Sequence, residues 1–286
     1  MVRRVAFAVV AIPVVVGIAW LGAWVFASLL AVAAALGARE VYGFARQQGI
    51  EPLRRTGMVA AALTPFAVAL TIFAPGTVAE LIGSGYLLLG FLLGVLALAL
   101  WRRGPTGRPL PAAAVTIFGV LYAGWLLSFA LRLRHPYATA SFDDARVGMA
   151  LLFYPLLLTW IGDSLAMAGG RTFGGPKMAP VISPNKTWAG GISGLFGTVA
   201  VSLIYAAVVF TRVGVSVSLG EALIFGAVIS VAGQVGDLAE SLFKREIGVK
   251  DSSTLIPGHG GVLDRLDSLY FVVPVTALLY RLAGIV

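Results

Sequence analysis

Residues 233–268 read GQVGDLAESLFKREIGVKDSSTLIPGHGGVLDRLDS, and they lie between two segments that are apolar enough to cross a membrane. This stretch holds six of the thirteen acidic residues of the chain, four cations and one of its two histidines. Because charge is costly in or beside a bilayer, such a cluster predicts a functional site. The rest of the chain is then expected to form the scaffold that holds the site.

The composition is that of an integral membrane protein. Of the 286 residues, 59% are hydrophobic and only 12% are charged, whereas a soluble domain has nearer a quarter charged. The absence of cysteine excludes disulfides, thiol catalysis and thiolate metal sites. The net charge of +8 would suggest nucleic acid in a soluble protein, but in a membrane protein basic loops set topology and meet anionic headgroups. We therefore expect no nucleic-acid partner.

Hydropathy predicts an all-α, polytopic integral membrane protein with about nine transmembrane helices. A span needs about 20 mostly apolar residues. The apolar run after the N-terminal MVRR is too long for a secretory signal, so a retained pair of helices is expected. We divide the chain into a scaffold of lipid-facing helices, 1–147, and a catalytic region, 148–286. The predicted spans are 5–20, 22–38, 58–74, 85–101, 111–131, 148–162, 189–211, 219–236 and 269–286.

The distribution of cations predicts the orientation. With the N-terminus inside, sixteen of the 21 Lys and Arg residues lie on the cytosolic side. The same orientation places both polar segments, 163–188 and 237–267, on the cytosolic face of the cell membrane. A soluble, charged substrate could reach them there.

Carboxylates and cations recur at helical spacing in the second polar segment. If the eighth helix continues past the membrane, Asp237, Glu240, Ser241 and Lys244 share one face. Asp264 and Asp267 follow a glycine pair that could open a new helix. Mg²⁺ takes one or two carboxylates and leaves its other positions to water and phosphate oxygens, so this pattern suits a magnesium–phosphate site. The alternative is a set of solvated ion pairs at a helix end, which we favour for Glu246 and Lys250.

Glycines, prolines and cations mark two candidate phosphate-binding loops. The PGHGG loop at 257–261 lets backbone approach a phosphate, although such clusters usually mark turns. His259 either contacts phosphate or only holds the loop, and without a second His or Cys nearby it does not indicate zinc. In 163–188, Asp163 ends a span, and Lys186 lies beside the predicted start of the seventh helix, where anions bind readily. The alternative for this segment is an ordinary interfacial loop.

The signature SLFKREIGVKDSSTLIPGHGGVLDRLD resembles that of the phosphatidate cytidylyltransferases, also called CDP-diacylglycerol synthases. The pattern is S-x-x-K-R-x4-K-D, a short gap, and then P-G-H-G-G-x-x-D-R-x-D, and every fixed position is present. GQVGDLAES and GRTFG…SPNKTW match two further segments of the family. The resemblance covers most of residues 150–286, whereas the first half shares only span count and hydropathy. Two positions depart from the family pattern: Ala189 after SPNKTW, and Met167 after Asp163. Both are expected to change contacts around the site.

The resemblance implies that CTP and phosphatidate give CDP-diacylglycerol and pyrophosphate in phospholipid biosynthesis, with Mg²⁺ and with a second, monovalent ion left open. It implies that the metal ligands are Asp237, Asp264 and Asp267. It implies further catalytic residues that hold phosphates: Lys244, Arg245, Lys250 and Arg265. It implies that substrates are bound by Asp163, Arg171, Ser183, Lys186, Thr187, Ser241, Asp251, His259, Gly260 and Gly261.

Three alternative functions fit the sequence less well. A transporter or channel predicts charges near mid-span and paired repeats, whereas these carboxylates lie at span ends and no repeat is evident. A CTP-dependent lipid kinase shares the substrate chemistry, but the complete signature argues against it. A CDP-alcohol phosphotransferase needs a D-G-x-x-A-R motif, which the sequence lacks. Membrane lipids are expected partners, and a homodimer stays open.

Overall fold

A computed structural model describes residues 2–74, 76–136, 142–256, 258 and 260–285. Twelve α-helices are assigned within these residues. Helices α6 and α7 join through the π-helical turn Val120–Trp125, and α9 continues into a second one, Ala206–Phe210. The helices are α1 (Val2–Leu21), α2 (Ala23–Gln47), α3 (Arg54–Phe73), α4 (Thr77–Gly83), α5 (Tyr86–Arg103), α6 (Pro109–Gly119), α7 (Leu126–Arg134), α8 (Phe142–Phe173), α9 (Trp188–Tyr205), α10 (Leu219–Glu246), α11 (Leu263–Leu266) and α12 (Leu269–Leu282).

The architecture is that of an all-α, multi-pass membrane protein, which confirms the predicted fold class. Each of the nine predicted spans overlaps a helix, and seven helical segments of the described chain are long and apolar enough to cross a membrane. The first and last predicted spans fall on α1, whose described apolar part is short, and on α12, which has only 14 residues. The number of spans and the side of the N-terminus stay predictions.

Two helices run further than their hydropathy indicated. We expected a span to end at Asp163 and a Gly-rich loop to follow, but α8 continues to Phe173. The glycines there form a packing surface: a Cβ on Gly170 would lie 3.0 Å from Thr187 Oγ1 and 3.5 Å from Gly190 Cα. The close packing of α8 against α9 thus stabilises a helix after Asp163, where the composition had suggested a loop. Likewise α2 extends to Gln47, past the end of the predicted span 22–38. Its buried Val41, Tyr42, Phe44 and Ala45 continue the apolar face there.

A β-hairpin lies between α8 and α9 and was not predicted. Strand β1 (Lys177–Ala179) pairs antiparallel with β2 (Ser183–Thr187). The last residue of β2, Thr187, is the N-cap of α9, and its hydroxyl oxygen accepts a hydrogen bond from the backbone N–H of Gly190 at 3.1 Å. This cap satisfies one of the four free N–H groups at the start of the helix. The hairpin therefore delivers Lys186 directly to the beginning of α9.

The chain divides into two compact units. The first comprises Met1–Arg132 and Glu246–Arg265, and the second comprises Leu133–Arg245 and Leu266–Val286. The segment 246–265, which carries most of the signature, is thus part of the same unit as the N-terminal helices. The predicted division at 147/148, between a scaffold and a catalytic region, concerns function and not compactness, and it stays a prediction.

Buried tyrosines tie the second unit together around α8. The hydroxyl of Tyr205 donates to the carbonyl of Ala150 at 2.8 Å, and that of Tyr280 donates to the carbonyl of Leu151 at 3.2 Å. Tyr154, on α8 itself, packs between these two rings and Phe210. Because the hydroxyls of Tyr205 and Tyr280 each find an acceptor, aromatic packing is combined here with satisfied polar groups. This core fixes the helices from which the candidate site is built.

Candidate active site

One face of α10 carries four polar side chains, as the sequence predicted for a continuous helix. The helix runs to Glu246, so Asp237, Glu240, Ser241 and Lys244 line up along it. Ser241 Oγ donates to Asp237 Oδ1 at 3.3 Å, and Lys244 Nζ donates to Glu240 Oε2 at 2.9 Å. Glu240 is fully buried and Lys244 nearly so. Burial of an ion pair in this way holds the ammonium group in one orientation.

Lys186 reaches Asp237 from the hairpin. Its Nζ lies 2.7 Å from Asp237 Oδ2, and both side chains are about one third exposed or less. A charge-assisted contact of this length is among the stronger polar interactions in proteins. Two segments about fifty residues apart in the sequence therefore place a cation and a carboxylate together, on the rim of one cavity.

Asp267 belongs to the same electrostatic group. It lies just after α11, and its Oδ1 accepts the backbone N–H of Ser268 at 2.7 Å. Burial, followed by the negative charge of Asp237, raises the pKa of Asp267 to about 6, although Lys244 and Lys186 act in the opposite direction. A cation placed beside Asp267 and Asp237 would favour the ionised form of Asp267, because it would offset the negative charge of its neighbour.

A cavity of about 800 Å³ opens in the second unit, within the size range of small-molecule sites. Its walls come from α8, the hairpin, α9 and α10, and they combine cations, carboxylates and glycines. Gln234, which was not among the predicted site residues, also lines it and donates to the carbonyl of Gly191 at 3.2 Å. The predicted site residues in its lining are Asp163, Arg171, Lys186, Thr187 and Asp237.

The other predicted residues of the second unit lie beside this cavity or support it. Ser183 pairs with Ala179 at the start of β2 and does not line the cavity. Arg245 is exposed, and its Nε donates to the carbonyl of Ile182 at 3.1 Å, so it holds the hairpin. Asp163 lies in mid-helix and not at a helix end, but its side chain still faces the cavity.

In the first unit, Asp264 organises the loop 252–263, which we call the signature loop. Its Oδ2 accepts the backbone N–H groups of Ser252 and Gly261 and lies near the Ser252 hydroxyl, each at 2.8 Å. Gly260 has φ +83°, and a Cβ there would lie 2.6 Å from Asp264 Oδ2, so only glycine fits. The expected helix after the glycine pair is the single turn α11, and Asp267 lies outside it. His259 lies outside the described residues, so its role stays a prediction.

A second cavity, of about 420 Å³, lies within the first unit beside this loop. It is lined by the exposed side chains of Lys250, Asp251 and Arg265 and by Gly260, all of which are predicted site residues. Two cations above a glycine-rich backbone suit a phosphate group, because neither side-chain bulk nor negative charge dominates the surface. Predicted site residues therefore line a cavity in each unit, and in the first unit these residues belong to the signature.

Glu40 in α2 is a polar residue that the sequence reasoning missed. Only 5% of it is exposed, and its carboxylate accepts hydrogen bonds from the signature loop of the same unit. Glu40 falls between the predicted spans 22–38 and 58–74, in a region that we expected to be a basic loop that sets topology. The available signal was a carboxylate that closely follows a long apolar run, because such residues are expensive and usually have a partner.

The described carboxylates fit magnesium better than a metal held by protein alone. No group of three or more His, Cys, Asp or Glu side chains in the described ranges could hold a metal ion. Magnesium needs no such cage, because it is commonly bound by one or two carboxylates together with phosphates and water. The mutual repulsion of Asp237 and Asp267 gives a divalent cation a favourable place in the second unit.

Comparison with known proteins agrees with these observations. The model of the family described as "Cytidylyltransferase family" matches residues 2–283. A Brucella abortus protein named phosphatidate cytidylyltransferase is 40% identical over 200 residues, which are 70% of this chain and 66% of that protein. A Haemophilus influenzae protein of the same name is 46% identical over 155 residues, 52% of this chain and 51% of its own. Arabidopsis thaliana phosphatidate cytidylyltransferase 4, chloroplastic, is 34% identical over 272 residues, 87% of this chain and 66% of its own.

The similarity is extensive along this chain, which spans between about half and just under two thirds of the length of these curated relatives. It includes the first half, where the sequence had offered only span count and hydropathy as points of resemblance. Because the family model covers nearly all of the sequence, from α1 to the end of α12, the chain belongs to the cytidylyltransferase family.

Proposed function

We propose that the protein is a phosphatidate cytidylyltransferase, which converts CTP and phosphatidate into CDP-diacylglycerol and pyrophosphate. The observation that carries the proposal is the cavity of about 800 Å³ with Lys186 and Asp237 paired on its rim. It offers cations for phosphates and carboxylates for a metal at one place. The names of the relatives support the choice of substrates.

The reaction needs little proton chemistry from the protein. A phosphate oxygen of phosphatidate attacks the α-phosphorus of CTP, a new P–O bond forms, and the bond to the β-phosphate oxygen breaks, so that pyrophosphate leaves. The lipid phosphate is already largely ionised at neutral pH, so no dedicated general base is required. The task of the residues is then to bring two anions together and to stabilise the charge on the leaving group.

Lys and Arg side chains of this chain would bind the phosphates of the two substrates. Lys186, released from Asp237 when the substrate arrives, would bind a phosphate oxygen in the second unit. Lys244 is held by Glu240 and contributes positive charge near Asp267. In the first unit, Lys250 and Arg265 on the cavity wall are the corresponding groups.

Magnesium is the proposed cofactor, and Asp237 and Asp267 of the second unit are its proposed protein ligands, because the described residues contain no group of three such side chains that could hold a metal ion. Asp264, which belongs to the first unit, stays a ligand predicted from the sequence. When bound, the ion would supply positive charge to the phosphates of CTP and so lower their repulsion of the lipid phosphate. The Oδ2 atom of Asp264 is engaged in holding the signature loop, so we expect that residue to contribute through its other oxygen. A second, monovalent ion stays open.

The proposed site faces the cytosol, where CTP is available, while phosphatidate enters from the lipid phase. The orientation is supported by the distribution of Lys and Arg, of which sixteen of 21 lie on the cytosolic side when the N-terminus is inside, seven of them in the segments 163–188 and 237–267. A homodimer stays an open prediction.

The test is pyrophosphate release by the purified protein in detergent, given phosphatidate, CTP and Mg²⁺, with ATP and EDTA as controls. Pyrophosphate that depends on both CTP and metal, together with a CDP-lipid product, is the expected result. Release of CDP with a newly phosphorylated lipid would indicate a lipid kinase instead. No turnover with any nucleotide, from folded protein, would overturn the proposal and favour transport.

A further inference from the structure

A buried carboxylate in the N-terminal half binds both ends of the signature loop. Glu40 Oε1 accepts the Ser253 hydroxyl at 2.7 Å and the Val262 N–H at 3.0 Å. Glu40 Oε2 accepts the Ser252 hydroxyl at 2.9 Å and the Leu263 N–H at 2.8 Å. More than 210 residues of sequence separate Glu40 from these donors, although all of them belong to one compact unit.

The four contacts close the base of a loop. Ser252 and Ser253 precede the glycine-rich turn, and Val262 and Leu263 follow it, so one carboxylate ties the two ends together. Asp264 makes a second connection, from Ser252 to Gly261. Burial of a polar group that is only 5% exposed is costly without hydrogen-bond donors, and here the loop backbone and hydroxyls supply them.

The fit around this carboxylate is close. A Cβ on Gly261 would lie 2.6 Å from Glu40 Oε2, so the loop approaches the carboxylate through a residue without a side chain. Glu40 itself is not part of the lining of the cavity of about 420 Å³, whereas Lys250, Gly260 and Arg265 are. It therefore acts on the cavity through the loop and not by touching its contents.

We propose that Glu40 is a positioning residue, which holds residues 252–263 so that Lys250 and Arg265 present a fixed pair of cations to the phosphates of the nucleotide. This inference rests on the proposed function for its substrate, but the contact that it describes can be tested without turnover. Loosening the loop would displace the cations, and a displacement of about 1 Å costs about 10²-fold in rate when geometry is demanding.

The first experiment compares Glu40→Gln with wild type in two readouts. Glutamine has the same size, but it offers one acceptor oxygen and turns an NH₂ group toward donors, so at least two of the four hydrogen bonds are lost. We expect kcat/KM for CTP to fall about 10²-fold, mainly through KM, because the cations are misplaced while the site is otherwise intact. Amide exchange in 252–263 should accelerate about tenfold or more, with exchange in the rest of α2 and in α3 unchanged.

Two further variants make the comparison specific. Glu40→Asp keeps the charge but shortens the side chain, and should recover part of the affinity for CTP. Glu51→Gln is the matched control: this carboxylate of the same unit is 55% exposed and pairs with Arg46 at 3.2 Å, so its loss should leave both readouts at wild-type values. If Glu40→Gln does not fold, Ser253→Ala removes one of the four contacts without affecting a buried charge, and should show the same changes at smaller size.

The outcomes separate this inference from the proposed function. Wild-type kinetics and wild-type exchange in Glu40→Gln, or in Ser253→Ala if only that variant folds, would overturn the positioning role. Lost activity without faster exchange in 252–263 would overturn it as well, because Glu40 would then act by another route. If the wild-type protein does not turn over CTP, the proposed function fails, and the exchange data alone decide whether Glu40 holds the loop.

Discussion

At the residue scale, ionisable groups of the candidate site are matched one by one. Asp237 pairs with Lys186, the buried Glu240 pairs with Lys244, and Glu40 accepts four donors from the signature loop. A charge removed from water without such a partner would cost several kcal/mol. Removing one partner of such a pair should therefore be costly, because the other charge is left without compensation.

Replacing Lys186 by methionine should lower kcat/KM for CTP about 10²-fold, because a charge-assisted phosphate contact is lost and Asp237 loses the cation with which it pairs. Lys186→Arg should recover part of the activity, since it restores the charge with different geometry. Steady-state pyrophosphate release over a range of CTP concentrations measures the effect.

The control for this prediction is Arg212→Met, which removes an exposed cation beyond the end of α9, outside the lining of the large cavity. It should keep wild-type kinetics. Equal activity of Lys186→Met and wild type would remove Lys186 from the phosphate-binding set.

At the element scale, small residues allow α8 and α9 to pack closely. A Cβ on Gly194 would lie 3.0 Å from Ala166 Cβ and 3.2 Å from the carbonyl oxygen of Gly162. Contact through glycine and alanine brings two helix backbones together, which is how helices associate in membranes without a hydrophobic driving force. Asp163 on α8 and Thr187 at the N-cap of α9 depend on that spacing to line one cavity.

Gly194→Leu should therefore destabilise the second unit. The larger side chain must push α8 away or distort it, at a cost of about 1–3 kcal/mol. A lower thermal midpoint in detergent, measured by the loss of monodisperse protein after heating, is the expected result.

Gly220→Leu is the matched substitution, because nothing lies within 4 Å of a Cβ at Gly220, on the first turn of α10. It should leave the midpoint at or above that of wild type, since leucine has the higher helix propensity. Equal stability of the Gly194 and Gly220 variants would show that the close approach of α8 and α9 is not required.

At the scale of the whole molecule, metal removal should stop turnover without unfolding the protein. The described residues contain no group of three carboxylates or histidines that could hold a metal ion, so binding should depend on the substrate phosphates. EDTA should abolish pyrophosphate release, added Mg²⁺ should restore it, and the thermal midpoint without nucleotide should change little. A large loss of stability in EDTA alone would instead indicate a structural metal site.

The orientation in the membrane can be measured with single cysteines, because the chain contains none. Val181, in the hairpin, is 86% exposed and is predicted to face the cytosol. Ser216, between α9 and α10, is exposed and is predicted to face outward. In right-side-out vesicles an impermeant maleimide should label Ser216→Cys at once, and Val181→Cys only after permeabilisation. The reverse pattern would invert the proposed topology.

Much of the helical scaffold was predictable, because apolar length is a strong signal in a membrane protein. Each predicted span overlaps a helix, and the common face of Asp237, Glu240, Ser241 and Lys244 follows from helical spacing once α10 continues. Helix ends were predicted less well. Hydropathy falls where a helix leaves the apolar region, but the helix itself goes on wherever packing or pairing stabilises it, as in α8 beyond Asp163.

By itself, the sequence determined the all-α membrane class, the family signature and the chemical types of most site residues, because these depend on composition and on local spacing. Only the tertiary structure decided which partners those residues have. The pairing of Lys186 with Asp237, the entry of Gln234 into the cavity and the hold of Glu40 on the signature loop join segments about fifty to more than two hundred residues apart. No local pattern encodes such contacts, since they arise only when burial forces each isolated charge or donor to find a partner in three dimensions.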